Sequence, residues 1–132
     1  GCMDTYTSGP WLARRYERLL KRENRTVESP VTGQMVINEA QAGNPLAQSI
    51  MTDAGEAVGI AVATMAMILD IELYVFGGGV SKCGDLLLEP ARLTVPKYSF
   101  KTVGPRVRLK VSELGDDTAI LGCGWLARQA LR

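Results

Sequence analysis

Nine residues constrain this chain most: Leu73-Tyr74-Val75-Phe76 runs without a break into Gly77-Gly78-Gly79, and Val80-Ser81 follows. Four consecutive apolar residues rich in aromatic and β-branched types predict a strand buried on both faces. The three glycines that end it carry no side chains, so the backbone there is free to take positive φ and to bring its N–H groups close to a phosphate or a ribose. Ser81 to Gly84 lead into a predicted helix, whose N-terminus favours anions. Residues Gly77, Gly78, Gly79, Val80 and Ser81 are therefore a candidate nucleotide cradle. A tight turn that uses glycine only for its geometry accounts for the same triplet, and the residues alone leave both readings open.

A buried strand needs helices to cover it, and the chain supplies them. Ser8-Gly9-Pro10 is a start signal for a helix to about Arg22, with Ser8 a candidate cap and Pro10 at the first turn. Trp11, Leu12, Tyr16, Leu19 and Leu20 share one side of it, and Arg14, Arg15, Arg18, Lys21 and Arg22 the other. Glu17 interrupts that basic stripe, which reads as a solvated face rather than a nucleic-acid surface. Asn24 to Thr32 reads as a surface connection, followed by a short helix from Gly33 to Gln41. Asn44-Pro45 caps and starts a long helix to Leu69, with Leu46, Ile50, Ala54, Ala57, Val58, Ala61, Val62, Met65, Ile68 and Leu69 as its apolar face. Gly55 and Gly59, one turn apart on it, allow another backbone to pack close.

After the glycine loop, the pattern predicts a helix from about Gly84 to Leu93, ended by Pro96, and a strand from Arg106 to Glu113 with one wet face. Leu114-Gly115-Asp116-Asp117 turns into a last helix from Thr118, with Asp116 and Asp117 as cap residues rather than a catalytic carboxylate pair. Helices alternating with strands indicate an α/β layer structure with a parallel sheet. Two strands make a marginal sheet, so the sheet reads as incomplete.

With 132 residues, 46% hydrophobic and 22% charged, the chain has the composition of one globular domain. A net charge of +1 gives no bulk attraction to nucleic acid or to an anionic membrane. The apolar run Ala57 to Leu69 is too short to span a bilayer and reads as a buried helix. Cys2, Cys83 and Cys123 form no CxxC pair, and the sequence has no histidine, which excludes a zinc site built from these residues alone. A reducing cytoplasm is the simplest setting. The chain starts Gly1-Cys2-Met3, which is not how an open reading frame begins, so sequence upstream is expected.

Four segments in order, Gly1-Cys2-Met3-Asp4 with Thr5 to Pro10, Ala42 to Ala47, Phe76 to Ser81 and Leu114 to Gly122, resemble the C-terminal part of ROK-family proteins (repressor, open reading frame, sugar kinase). The resemblance covers essentially the whole chain. It implies part of an actin-like, RNase H-like ATPase fold, here the C-terminal portion of the second lobe, with residues 118–132 a helix that crosses back to an N-terminal lobe. It implies a glucokinase-like transferase that phosphorylates a hexose or N-acetylhexosamine with ATP and Mg2+, or else a sugar-responsive repressor whose DNA-binding segment lies upstream.

Carried over by residue, Asp4 matches a Glu of the family that bonds sugar hydroxyls, one methylene shorter here. Gly77 to Ser81 match the nucleotide loop. Cys2 matches the last cysteine of a zinc cluster whose other ligands would lie upstream. The phosphate-binding loop and the catalytic aspartate would lie upstream too, so no catalytic residue is assigned to this chain, which is expected to be inactive alone. Sugar and nucleotide are the implied partners, nucleic acid only for a repressor; a homo-oligomer is implied as well.

Overall fold

The computed structural model describes residues 2–25 and 30–131. In chain order they form α1 (Asp4–Thr7), α2 (Gly9–Arg22), α3 (Gly33–Gln41), α4 (Pro45–Leu69), β1 (Leu73–Phe76), α5 (Asp85–Thr94), β2 (Arg108–Val111) and α6 (Thr118–Ala130), with short 3-10 turns between the later elements. The expected boundaries of α3 and α4 match the structure, whereas α1 and the 3-10 turns have no sequence counterpart because single turns carry too little periodicity to read. Part of the expected surface connection, residues 26–29, lies outside the described residues, as do Gly1, Arg132 and the side chain of Asp116.

Asn44 shows why the helices meet as they do. Its Oδ1 accepts from the backbone N–H of Leu46 at 3.0 Å, capping α4, while its Nδ2 donates to Tyr16 Oη on α2 and to Glu39 Oε2 on α3, each at 2.9 Å. One amide thus ties three helices together, and burial, aided by the Glu39 carboxylate, raises the pKa of the Tyr16 hydroxyl. Thr32 caps α3 by accepting from Met35 N–H at 3.2 Å. Ser8 and Asp117 occupy the cap positions of α2 and α6 without a side-chain cap bond, contrary to the sequence reading.

The core forms where α4 meets its neighbours. Ala47, Ile50, Met51, Ala54, Val58 and Val62 of α4 pack with Leu12, Tyr16 and Leu20 of α2, with Val36 and Ile37 of α3, and with Leu87, Leu88 and Ala91 of α5. As a whole α4 is long and apolar enough to cross a bilayer, but these buried positions make it a core helix. Its last turns differ from expectation: Met65, Ile68 and Leu69 are exposed. Pro90 sits inside α5, and Pro96 falls within a 3-10 turn, Val95–Lys97, that prolongs it.

β1 and β2 pair in parallel, Leu73 with Arg108 through Phe76 with Val111, and make up the sheet among the described residues. Arg106 holds the entry to β1, bonding Asp70 at 2.6 Å and Glu72 at 2.8 Å. The expectation that β1 is buried on both faces is corrected: Tyr74 and Phe76 are half-buried on the core side, while Leu73 and Val75 are exposed, Val75 by 58%. No described residue covers that face. α6 has no buried residue, and Ile120, Leu121, Trp125 and Leu126 are each more than half exposed. Large apolar side chains are therefore left uncovered both on β1 and along α6.

Gly55 and Gly59 let α5 lie directly on α4. A Cβ at Gly59 would sit 2.6 Å from Thr94 Cβ and 2.7 Å from the Ala91 carbonyl, and one at Gly55 would reach the Leu87 carbonyl and Pro90 Cβ. Replacing glycine by alanine inside a helix gains about 1 kcal/mol of propensity, but forcing two backbones apart costs about 1–3 kcal/mol. Because the obstacles are a backbone carbonyl and a Cβ fixed directly to the backbone, the second effect is expected to win, and Gly59→Ala should lower the denaturant midpoint. An unchanged or higher midpoint would contradict the close contact.

Candidate functional site

The glycine loop leaves β1 at its C-terminal end, where ligands gather in open α/β sheets. Its three glycines differ in what they need. Gly78 has φ +89°, a conformation that disfavours other residues, with open space where its Cβ would be. Gly79 has helical angles, φ −59° and ψ −42°, and the same open space. Gly77 faces Thr118, whose Cγ2 would lie 3.4 Å from an added Cβ. Geometry therefore explains glycine at Gly78, whereas neither conformation nor crowding within the chain calls for it at Gly79.

Val80 and Ser81 open a 3-10 turn, Val80–Cys83, that separates the loop from α5. Ser81 is buried and its hydroxyl donates to the Gly78 carbonyl at 2.7 Å, so it fixes the loop from behind. Val80 packs against the core, and the Cys83 thiol donates to its carbonyl at 2.7 Å. α5 begins with Asp85, which bonds Arg92 at 2.7 Å. The positive end of α5 thus already faces a carboxylate, which weakens the expected role of that helix end as an anion site.

Thr118 closes the other flank of the loop. Its hydroxyl bonds the Gly115 carbonyl at 2.7 Å and lies 2.8 Å from Ser112 Oγ, and Ser112 N–H donates to the Phe76 carbonyl at 2.8 Å. The end of β1 and the start of α6 are thereby joined by hydrogen bonds, and Gly77 lies against Thr118 beside them. In the sequence Thr118 reads only as a helix start, because Gly77, the loop residue it flanks, is distant along the chain.

On the side of α1, Met3 and Thr7 come against Phe76, Gly77, Val80 and Ser81 around a cavity of about 200 Å3 whose floor is Val58 and Leu87. The structure therefore sets α1, which carries Asp4, beside the glycine loop. Asp4 itself is exposed and does not line this cavity, and its side chain makes no hydrogen bond or ion pair among the described residues. Its carboxylate is free to accept from a ligand. Cys2 is exposed, and no group of three or more His, Cys, Asp or Glu able to hold a metal occurs among the described residues. One thiol does not fit a zinc site, so a zinc ion there would need ligands from elsewhere.

A glycine-ended strand, a covering helix layer and an adjacent acid-bearing turn make up an α/β arrangement. Residues 1–130 match the ROK family, and the chain belongs to that family. It is 30% identical over 136 residues to the glucokinase of Halalkalibacterium halodurans, covering 98% of this chain and 41% of that protein. It is 27% identical over 129 residues to the xylose repressor of Caldicellulosiruptor bescii, covering 93% of this chain and 32% of that protein. Among solved structures, a ROK glucokinase from Streptomyces griseus in complex with glucose and AMPPNP superimposes with a TM-score of 0.80 at 26% identity, over 98% of this chain and 45% of that one. The chain thus spans less than half the length of these relatives. Its mostly helical body with a small parallel sheet is part of an actin-like fold.

Burial pushes the Cys83 thiol up from its usual 9.0 to about 11. A raised value means that the unfolded chain ionises first as pH rises, so the contribution of this thiol to stability is complete below about pH 9 and lost on the way to 11. A maleimide at pH 8 is expected to label Cys2 and Cys123, both exposed, and to reach Cys83 only in denaturant. Labelling of three thiols in the native chain would contradict this placement.

Proposed function

We propose that these residues serve an ATP-dependent sugar kinase, glucokinase-like, which phosphorylates a hexose or an N-acetylhexosamine. The observation that carries the reading is Gly79: its backbone is ordinary and its surroundings are open, so a ligand lying against the main chain supplies the missing reason for glycine. Likeness to a glucokinase, and to a structure holding glucose and AMPPNP, supports the choice of ligands.

On this reading, the N–H groups of Gly77 to Gly79 border the nucleotide near its phosphates and ribose, with Ser81 and Thr118 keeping the loop in shape. Asp4 accepts hydrogen bonds from sugar hydroxyls and orients the ring. Mg2+, bound with the nucleotide, supplies neutralisation of phosphate charge. The base that takes the hydroxyl proton is assigned outside these residues, as are the partners of Cys2 in any zinc site. Closure of a second lobe over both ligands excludes water, and the bare faces of β1 and α6 support docking of such a lobe, with α6 crossing to it. A cytoplasmic homo-oligomer fits the same picture.

A sugar-responsive repressor is favoured by one specific observation, the likeness to a xylose repressor at nearly the same identity. The two differ in turnover. A coupled assay on the full-length protein with ATP and glucose, N-acetylglucosamine or N-acetylmannosamine is expected to show phosphorylation of at least one sugar. Asp4→Ala should raise the KM for that sugar with little change in the KM for ATP. A hydrogen bond to a charged group contributes about 1.5–3 kcal/mol, which corresponds to roughly ten- to a hundredfold. Sugar binding without turnover, together with sugar-dependent retention of DNA, would favour the repressor; an unchanged sugar KM in Asp4→Ala would overturn the role of Asp4.

A further inference from the structure

The basic stripe of α2 is not used by the site described above, and its arginines are not simply solvated. Arg15, Arg18 and Arg22 lie at i, i+3 and i+7, on one side of the helix, and with Leu19 they form one wall of a groove whose other wall is Ser49, Ile50 and Asp53 of α4. The groove has a volume of about 300 Å3. Three arginines line it against the single carboxylate of Asp53, which leaves a charge of +2 within the lining.

Arg15 is the arginine of that wall with partners of its own. One of its terminal nitrogens, Nη2, pairs with Asp53, and its guanidinium lies 5.6 Å from the centre of the Tyr6 ring. The other, Nη1, is buried with no hydrogen-bond partner among the described residues. A buried charged donor left unpaired is costly, and the residue that carries it lines the groove. Arg18 and Arg22 make no ion pair among the described residues, and as like charges four apart they repel each other along the helix. Guanidiniums keep their charge at any physiological pH and bind phosphate oxygens in a two-pronged fashion.

We propose that the groove between α2 and α4 is a binding site for a small phosphorylated anion, separate from the glycine loop. Its concave shape, the apolar flanks Leu19 and Ile50, and the net charge of only +1 on the whole chain favour a compact phosphate over a nucleic-acid backbone, which needs an extended basic track.

Titration calorimetry on the full-length protein tests this with inorganic phosphate, a hexose 6-phosphate and a DNA duplex as probes. The variant is Arg18→Glu with Arg22→Glu, both exposed, so folding should be retained and is checked by circular dichroism. Arg15 is left in place because it also holds Asp53 and Tyr6. The control is Arg14→Glu, whose guanidinium lies 4.8 Å from the Trp11 ring and does not line the groove. A binding event for one of the small phosphates, weakened at least tenfold in the double variant and unchanged in the control, is the expected result. A tighter isotherm for the hexose phosphate names the ester as the ligand, and equal isotherms name free phosphate; both support the site. Phosphate isotherms that superimpose for wild type and double variant overturn it, as does a duplex that binds more tightly than either small anion and is lost in the same variant.

Discussion

The position of the glycine loop depends on how closely α5 lies on α4. Gly55 and Gly59 remove the side chains that would separate the two helices, and the carbonyls of Leu87 and Ala91 occupy the space instead. Because the 3-10 turn after the glycine loop runs straight into α5, the distance between these helices sets the height of the loop above the core. Val58 on α4 and Leu87 on α5, the floor of the cavity beside the loop, come from the same contact. A loop rich in glycine has little stiffness of its own, and here its precision comes from the packed pair beneath it.

From that base the loop is held at three points. Ser81 bonds it from behind, Thr118 flanks it through Ser112 and Gly115, and α1 stands on the remaining side with Met3 and Thr7. The open side is where Gly78 and Gly79 present bare backbone. The unfinished surfaces are elsewhere: the outer face of β1, the end of α4 and the whole of α6 expose large apolar groups. The chain accounts for under half the length of its relatives, and these surfaces lie where the rest of such a fold has room to pack.

Much of this was legible from residue order. Asn44-Pro45 marked the start of α4, and the glycine spacing on that helix marked the close neighbour, because capping chemistry and backbone approach are local properties. The four apolar residues of β1 were read as covered on both sides, and two of them are exposed; the sequence reports that a face wants cover, not whether this chain provides it. Ser8 and Asp117 have the right residue types for caps but make no cap bond, and the flanking role of Thr118 depends on Gly77, a residue brought to it by folding. The cluster of Arg15, Arg18 and Arg22 looked like a wet helix face until α4 supplied the opposite wall. At the glycine loop, the residue types left a turn and a cradle equally open, and the backbone angles separated Gly78, which geometry explains, from Gly79, which it does not.

That separation gives the central claim its most direct test. Gly78→Val is a poor probe, since a β-branched residue at φ +89° strains the loop whether or not a ligand binds there. Gly79→Val keeps an allowed backbone in open space, so the folded protein should retain its thermal midpoint while a nucleotide loses its approach to the main chain. Calorimetry with a non-hydrolysable ATP analogue on the full-length protein is the measurement. The account predicts at least tenfold weaker nucleotide binding by Gly79→Val with sugar binding unchanged; equal affinity for the analogue in wild type and variant would show that these glycines serve the turn alone.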